Sequence, residues 1–348
     1  MRSVSRTVRG LLRRQFGSAL RHTQLTNLTL LTLAALHGES MQPAVLARRL
    51  ETQTSFHHSE KRVHRFVGNP RLPSIVIFGQ LLGMILTLSP KGKLVPVTIV
   101  DETDLAGGLK GLVAAIPYLG RALPFAFRIY RYDRMPAGQN VIEREFFSLV
   151  ACLLRFQKLE PVFILDRGYA DIELIRYFIE ELKAHFVVRV PNNVYVSLPG
   201  YAGKLAKLGQ PGQWEAVSYH RTKPTRLNLA VFWGKDRDGK EELVYLATDL
   251  PAHSAQKRYR LRMRIEEGFR DFWTTLGLGR LRPRKDVERR VAHLLLVAMV
   301  TACITAYLYP RAVAEQSRVV RRQSDVSFVR LVVMVYRLRW SRYVGGVG

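Results

Sequence analysis

Cysteine, acidic residues and long apolar runs are all scarce in this chain. Only Cys152 and Cys303 are present, both inside apolar helical stretches, which excludes a disulfide framework and a cysteine-based zinc site and fits a reducing cytosol. Against 54 Lys and Arg stand 28 Asp and Glu, a formal charge of +26, and the first 38 residues hold no acid at all. That excess is too large for a solubility bias and points to a polyanionic partner, nucleic acid foremost. The arginine-rich opening resembles a transit peptide in charge alone. Leu25 to Leu36 is interrupted by Thr26, Asn27, Thr29 and Thr32, and the segment reads as a DNA-facing helix pair. The most apolar segment, Leu294 to Tyr309, is shorter than the roughly 20 residues a membrane span needs and carries Thr301 and Thr305. A buried core helix is expected there, and no membrane partner. No internal repeat is visible.

What is present is ample apolar material: 47% of 348 residues, enough for two or three domains. Leu25, Leu28, Leu31 and Leu36 recur at near-helical spacing before Gly38, and Pro43 opens a second short helix, Ala44 to Leu50. Ser59 to Phe66 supplies a third with a cationic face. Two readings of the trio stay open, a helix-turn-helix-like DNA reader and a basic bundle packed on a catalytic body. Ile75 to Leu88 is a more apolar helix, closed by Pro90 and a Lys91-Gly92-Lys93 linker.

Beyond Val95 the period changes to that of strands: Pro96 to Asp101, Gly111 to Ile116 and Leu123 to Tyr130, separated by Gly107-Gly108 and Pro117 to Gly120. A helix over Val141 to Phe156, a buried strand over Val162 to Asp166, a helix over Asp171 to Leu182 and a strand over His185 to Val190 follow. The order β-β-β-α-β-α-β predicts a mixed α/β (α+β) fold of the ribonuclease H-like type, with the first strand beside the fourth. A β-rich insertion with an Asp238-Gly239 turn comes next. A helix from Gln256 through Glu266 to Phe272, a long apolar helix from Asp286 to Leu308, and a tail helix from Ser327 to Tyr343 complete the chain. The expected division is a helical N-terminal DNA-binding region (1–92), a first core part (93–190), the β-rich insertion (191–250), a second core part with the acid-bearing helix (251–315) and a helical tail (316–348).

Three acids stand out in this basic sequence. Asp101 follows Val97 to Val100, Asp166 follows Val162 to Leu165, and Glu266 lies in the arginine-dense run Tyr259 to Glu266. Carboxylates set against apolar neighbours need a counter-ion, and three brought together are relieved best by divalent metal. The set lacks Cys and His, so it suits hard ions, and two such ions roughly 3.5 to 4 Å apart serve phosphodiester cleavage or transfer. Asp101 is the candidate bridging ligand, Asp166 the ligand of the second metal, and Glu266 the helix-borne ligand. Each also has an ordinary reading as a turn former or cap. Glu102, Asp104 and Glu267 are neighbouring acids that the same reasoning leaves outside the site, Glu267 because it lies about 100° round the helix from Glu266.

Val100-Asp101-Glu102-Thr103, Gly120-Arg121-Ala122-Leu123-Pro124, Leu165-Asp166-Arg167-Gly168-Tyr169, and Leu246-Ala247-Thr248-Asp249-Leu250 followed by Tyr259 to Glu266 closely resemble the DDE transposases of bacterial and archaeal insertion sequences, of the insertion-sequence-four type. In that family the third acid sits in a Tyr-x2-Arg-x3-Glu-x6-Lys signature after a β-rich insertion. Tyr259, Arg262 and Glu266 match three of its four positions; the fourth is Trp273 instead of Lys. The family Lys helps hold the DNA end, so Arg270 is a candidate substitute and Trp273 a candidate base-stacking residue or a core aromatic.

The resemblance implies a cut-and-paste transposase using two Mg2+ or Mn2+ ions. It nicks element ends and transfers strands by 3′-hydroxyl attack, through a hairpin intermediate in a homodimeric synaptic complex with transposon ends and target DNA. Arg262 and Tyr259 are expected on the scissile strand, with an intrahelical Arg262–Glu266 pair at i,i+4 as the ordinary alternative. Arg167 and Arg189 are expected on DNA or in salt bridges, and Trp214 or Trp233 of the insertion near a flipped base or in the core. The expected location is the cytoplasm, on the nucleoid. Two rivals remain: a catalytically silent DNA-binding protein derived from a transposase, favoured by Trp273, and a plain metal-dependent nuclease of the same fold.

Overall fold

The computed structural model describes residues 2–38, 40–88, 97–135, 138–235, 238–282, 287–316 and 326–344. Its sheet grows from the most apolar short segments. All four residues of β4 (Val162–Leu165) are buried, as befits a parallel strand covered on both faces. β4 pairs in parallel with β1 (Thr98–Leu105) on one side and with β5 (His185–Val190) on the other. β1 continues into an antiparallel meander with β2 (Leu109–Tyr118) and β3 (Arg121–Tyr130). Its first turn uses Gly107 and Gly108 at φ 79° and 71°, where a side chain would be strained.

The β-β-β-α-β-α-β order is therefore the observed one. α1 (Arg2–Phe16), α2 (His22–Ala35), α3 (Pro43–Arg48), α4 (Phe56–Val67) and α5 (Ser74–Leu88) precede the sheet. α6 (Gln139–Phe156) links β3 to β4, and α7 (Ile172–Tyr177), prolonged by a π turn over Phe178–Leu182, links β4 to β5. β2 and β3 are each longer than expected, and the boundary that matters most for the acids is the end of β1. β1 does not end at Asp101 but runs on to Leu105, because Glu102, Thr103 and Asp104 find ladder partners in Leu112, Gly111 and Lys110 of β2. Pro96, Pro90 and the Lys91-Gly92-Lys93 linker lie outside the described residues.

The segment after β5 continues the same sheet. β6 (Tyr195–Leu198), β7 (Tyr201–Lys204), β8 (Gly212–Tyr219), β9 (Thr225–Lys235) and β10 (Glu241–Thr248) follow in sequence. β10 docks antiparallel on β5, giving ten strands in the order β3-β2-β1-β4-β5-β10-β9-β8-β6-β7.

Alternation along the strands splits the apolar residues into two cores. Val100, Phe163, Leu165 and Val188 point into the larger one, with the N-terminal helices, α6, α10 (Val287–Gln316) and α11 (Phe328–Val344). Val97, Ile99, Val162, Ile164, Val187 and Leu246 point into the smaller one, with α8 (Ala252–Tyr259) and α9 (Met263–Arg270).

α10 is long and apolar enough to cross a membrane, yet 89% of its most apolar window is buried inside the fold. It runs past Leu308 and through Pro310; Asp286, where its start was expected, is not among the described residues. The hydroxyls of Thr301 and Thr305 donate to the carbonyls of Val297 and Ala302, so neither spoils the core. The DNA-facing reading of the first helix pair is corrected for α2. Leu28 through Ala35 are all buried, α2 packs on α10, and Thr29 satisfies its hydroxyl on the Leu25 carbonyl. The helix expected from Gln256 to Phe272 is broken. At Leu261 and Arg262 the amides bond three residues back, to Arg258 and Tyr259, which tightens the chain and separates α8 from α9.

Candidate active site

Period-two alternation decides where the strand acids point. Val97 and Ile99 enter the smaller core, so Asp101 rises on the same face of β1; Val162 and Ile164 do so on β4, and Asp166 follows them. Register then brings the pair side by side. Thr98 lies opposite Phe163 and Ile99 opposite Ile164, and two further residues along each strand give Asp101 and Asp166. The ladder itself ends at Ile99 and Ile164, and Asp166 stands just beyond β4, close enough for its charge to raise the Asp101 carboxyl. α9 crosses this face, anchored by buried Ile265, and presents Glu266.

Asp101 is 16% exposed at its side chain. Burial first, then repulsion from Asp166 and Glu266, pushes its carboxyl up to about 6, against the pull of Arg262 and a hydrogen bond from the Glu102 amide. Arg262 lies between two acids: its Nη1 donates to Asp101 Oδ2 at 3.3 Å and its Nη2 to Glu266 Oε1 at 2.6 Å. Asp166 Oδ1 accepts from the Gly168 amide at 2.7 Å, which fixes its rotamer at the end of β4. Tyr259 is half-buried beside Arg262, Arg189 and Asp166; burial raises its phenol pKa, and the two arginines oppose the rise. Thus Asp101, Asp166, Glu266, Tyr259, Arg262 and Arg189 share one face.

The remaining candidates lie around this group. Arg189 points to the same face from β5 and is held by Glu242 at 2.6 Å. Arg167 is exposed on the turn after Asp166. Arg270 is 68% exposed and pairs with Glu267 at 3.0 Å, away from the acids. Trp273 falls in a π turn over Asp271–Thr275. An unbroken α-helix returns to nearly the same face after seven residues. Here Trp273 packs partly on the larger core and lines a cleft of about 910 Å³ with Thr103 to Gly107, Leu278 and Arg282. Trp233 is exposed, and Trp214 packs partly on the larger core. The neighbouring acids are otherwise engaged. Glu102, on the opposite face of β1, takes hydrogen bonds from Tyr130 and Tyr132; Asp104 pairs with Lys110 at 2.6 Å; Glu267 pairs with Arg121 at 3.4 Å.

Tyr169 was not singled out from the sequence. It is 5% exposed under the strand acids, and its hydroxyl has no hydrogen-bond partner among the described residues. Its own burial, then the charges of Asp101, Glu143 and Asp166, hold its pKa well above the phenol range. Its place in Asp-Arg-Gly-Tyr was the only available signal.

Three carboxylates without Cys or His are a donor set for a hard divalent ion. Among the described residues, however, no group of three or more such side chains is already gathered closely enough to hold one. The guanidinium of Arg262 fills the space between Asp101 and Glu266. The donors fit a metal; their present arrangement is closed around an arginine.

The family described as the transposase DDE domain matches residues 130–303, half of the chain. The matched segment contains Asp166, Tyr259, Arg262 and Glu266, while Asp101 lies upstream and joins them through the register of β1. No curated protein matches the chain. With its mixed ribonuclease H-like sheet and half its length within that one family, the protein belongs to the DDE-domain transposases.

Proposed function

We propose that this transposase moves an insertion sequence by cut and paste and is of the insertion-sequence-four type. The observation that carries the reading is the common face on which β1, β4 and α9 present Asp101, Asp166 and Glu266. In it the three carboxylates bind two Mg2+ or Mn2+ ions, which when bound supply Lewis acidity to the attacking and leaving oxygens. Arg262 and Tyr259, beside the acids, hold the scissile strand by its phosphate. Arg189 and exposed Arg167 extend the cationic border, and Trp273 offers a stacking surface in its cleft. Cleavage frees a 3′-hydroxyl that attacks the opposite strand, displacing the flanking DNA and closing a hairpin on the element end; hydrolysis of the hairpin restores the 3′-hydroxyl, which then attacks target DNA.

Terminal repeats are read by the 1–92 region. α4 exposes His58, Lys61 and Arg65, and with Asn27 and Arg62 it borders a pocket of about 420 Å³. The core parts 93–190 and 251–315 carry the acids, and the insertion 191–250 and the tail 316–348 complete a homodimeric synaptic complex on the nucleoid.

Purified chain, labelled element-end DNA and Mg2+ test the reading. Cleavage is expected, and Asp101→Ala, Asp166→Ala or Glu266→Ala should abolish it while binding persists. Binding without any cleavage by the parent establishes instead a silent end-binding protein, the reading that Trp273 favours; cutting without strand joining establishes a nuclease. Binding should weaken with salt, with a log–log slope of about 0.9 per phosphate contacted.

A further inference from the structure

The side chain of Arg262 is 14% exposed, and its bonds to Asp101 and Glu266 leave its Nε buried with no partner among the described residues. A buried guanidinium is stable when all its donors are met, and its planar fork favours bidentate pairing with one anion. Here the fork is split between two carboxylates from different elements, and one donor is orphaned. The arrangement exists because Asp101, Asp166 and Glu266 repel one another, and a single positive charge between two of them relieves part of that repulsion. In the metal-free protein, Arg262 performs the neutralising role that divalent ions perform under the reading above.

The guanidinium occupies the space between Asp101 and Glu266 where an ion would sit, and two cations cannot share that space. Metal therefore enters only when Arg262 leaves, and a departing guanidinium needs another anion. Arg262 stands at the joint between α8 and α9, as the N-terminal cap of α9, and buried Ile265 holds α9 in the smaller core. DNA supplies the anion.

We infer that Arg262 is an exchange residue: it closes the carboxylate site in the free protein and is drawn off by a backbone phosphate of bound DNA, which opens the site to divalent cation. This rests on the three-carboxylate reading above. DNA and metal then bind with positive coupling, each raising the other's affinity by the same factor. Free protein is kept from cutting DNA that is not seated.

Mn2+ binding to the full chain without DNA, followed by electron paramagnetic resonance, tests the exchange. Arg262→Gln should bind Mn2+ about fivefold or more tighter than the parent, the lower end of typical couplings, and Asp101→Asn should weaken binding in both. In a second arm, Ca2+ at constant ionic strength should raise the parent's affinity for an element-end duplex and leave that of Arg262→Gln unchanged. If Arg262→Gln binds Mn2+ no tighter while Asp101→Asn still weakens it, the exchange is wrong and the carboxylate site stands. If neither Asp101→Asn nor Glu266→Gln alters Mn2+ binding, the carboxylate site itself is wrong. Should Arg262→Gln not fold, Arg262→Lys, whose single ammonium bridges poorly, must show a gain in the same direction or the exchange fails.

Discussion

Asp101 and Asp271 are both mostly buried acids facing an arginine, and burial raises both their pKa values. Asp271 is otherwise satisfied: Arg121 donates to it at 3.1 Å and Ser327 at 2.8 Å, and the three tie the turn after α9 to β3 and α11. Asp101 faces an arginine shared with Glu266 and stands beside two like charges. The first arrangement is built to hold the fold together. The second retains repulsion that removing an acid would relieve, as expected where function constrains a site against stability.

The largest effect should come from exchanging the two acids' fates. Asp101→Asn should reduce DNA cleavage to background yet keep or raise the unfolding free energy measured in urea, by up to about 3 kcal/mol for a shift of about two pKa units. Asp271→Ala should cost about 3 kcal/mol, because it leaves half-buried Arg121 with Glu267 as its remaining carboxylate and takes the acceptor from Ser327. A clear loss of stability in the Asp101 variant would erase the contrast. Next comes the support of α9. A Cβ on Gly268 would meet the Ala122 carbonyl oxygen at 2.8 Å, so Gly268→Ala should push the helix off β3, cost about 1 to 3 kcal/mol and slow cleavage beyond the stability loss. Unchanged cleavage in that variant would show that Glu266 does not depend on this packing.

A smaller effect is expected at Trp273. Trp273→Lys should steepen the salt dependence of end binding by about one phosphate's share, and an unchanged or weaker complex would show that Trp273 has its own role. The smallest concerns pH. Burial pushes the His185 imidazole down, but hydrogen bonds to Asp249 at 2.6 Å and Glu160 at 3.0 Å outweigh it, and the pKa ends above its ordinary 6.5. Protonated His185 therefore stabilises the fold fully below about pH 6.5, and this contribution disappears as pH rises through the folded value. Melting of His185→Gln across pH 6 to 8 should lose that slope.

The strand and helix order was legible because each element is written locally, in alternating or 3.6-residue apolar spacing. The acids were legible because they interrupt apolar or cationic runs. The match over residues 130–303 supports the transposase resemblance but does not reach Asp101. Several features left no local signal. Burial of α2 depends on α10, more than two hundred residues later. Tyr169 looks like any turn aromatic until the strand acids stand above it. The π turn that carries Trp273 has no counterpart in local apolar spacing.

The sequence by itself determined the polarity pattern: which residues alternate, where acids interrupt apolar runs, and how strongly the chain attracts polyanions. These depend on composition and on neighbours a few residues apart. Tertiary structure alone decided that β1 and β4 pair in a register bringing Asp101 beside Asp166, and that Arg262 lies between Asp101 and Glu266. Those contacts join segments 65 and 161 residues apart, and long-range contacts are selected by total burial and charge balance across the whole fold.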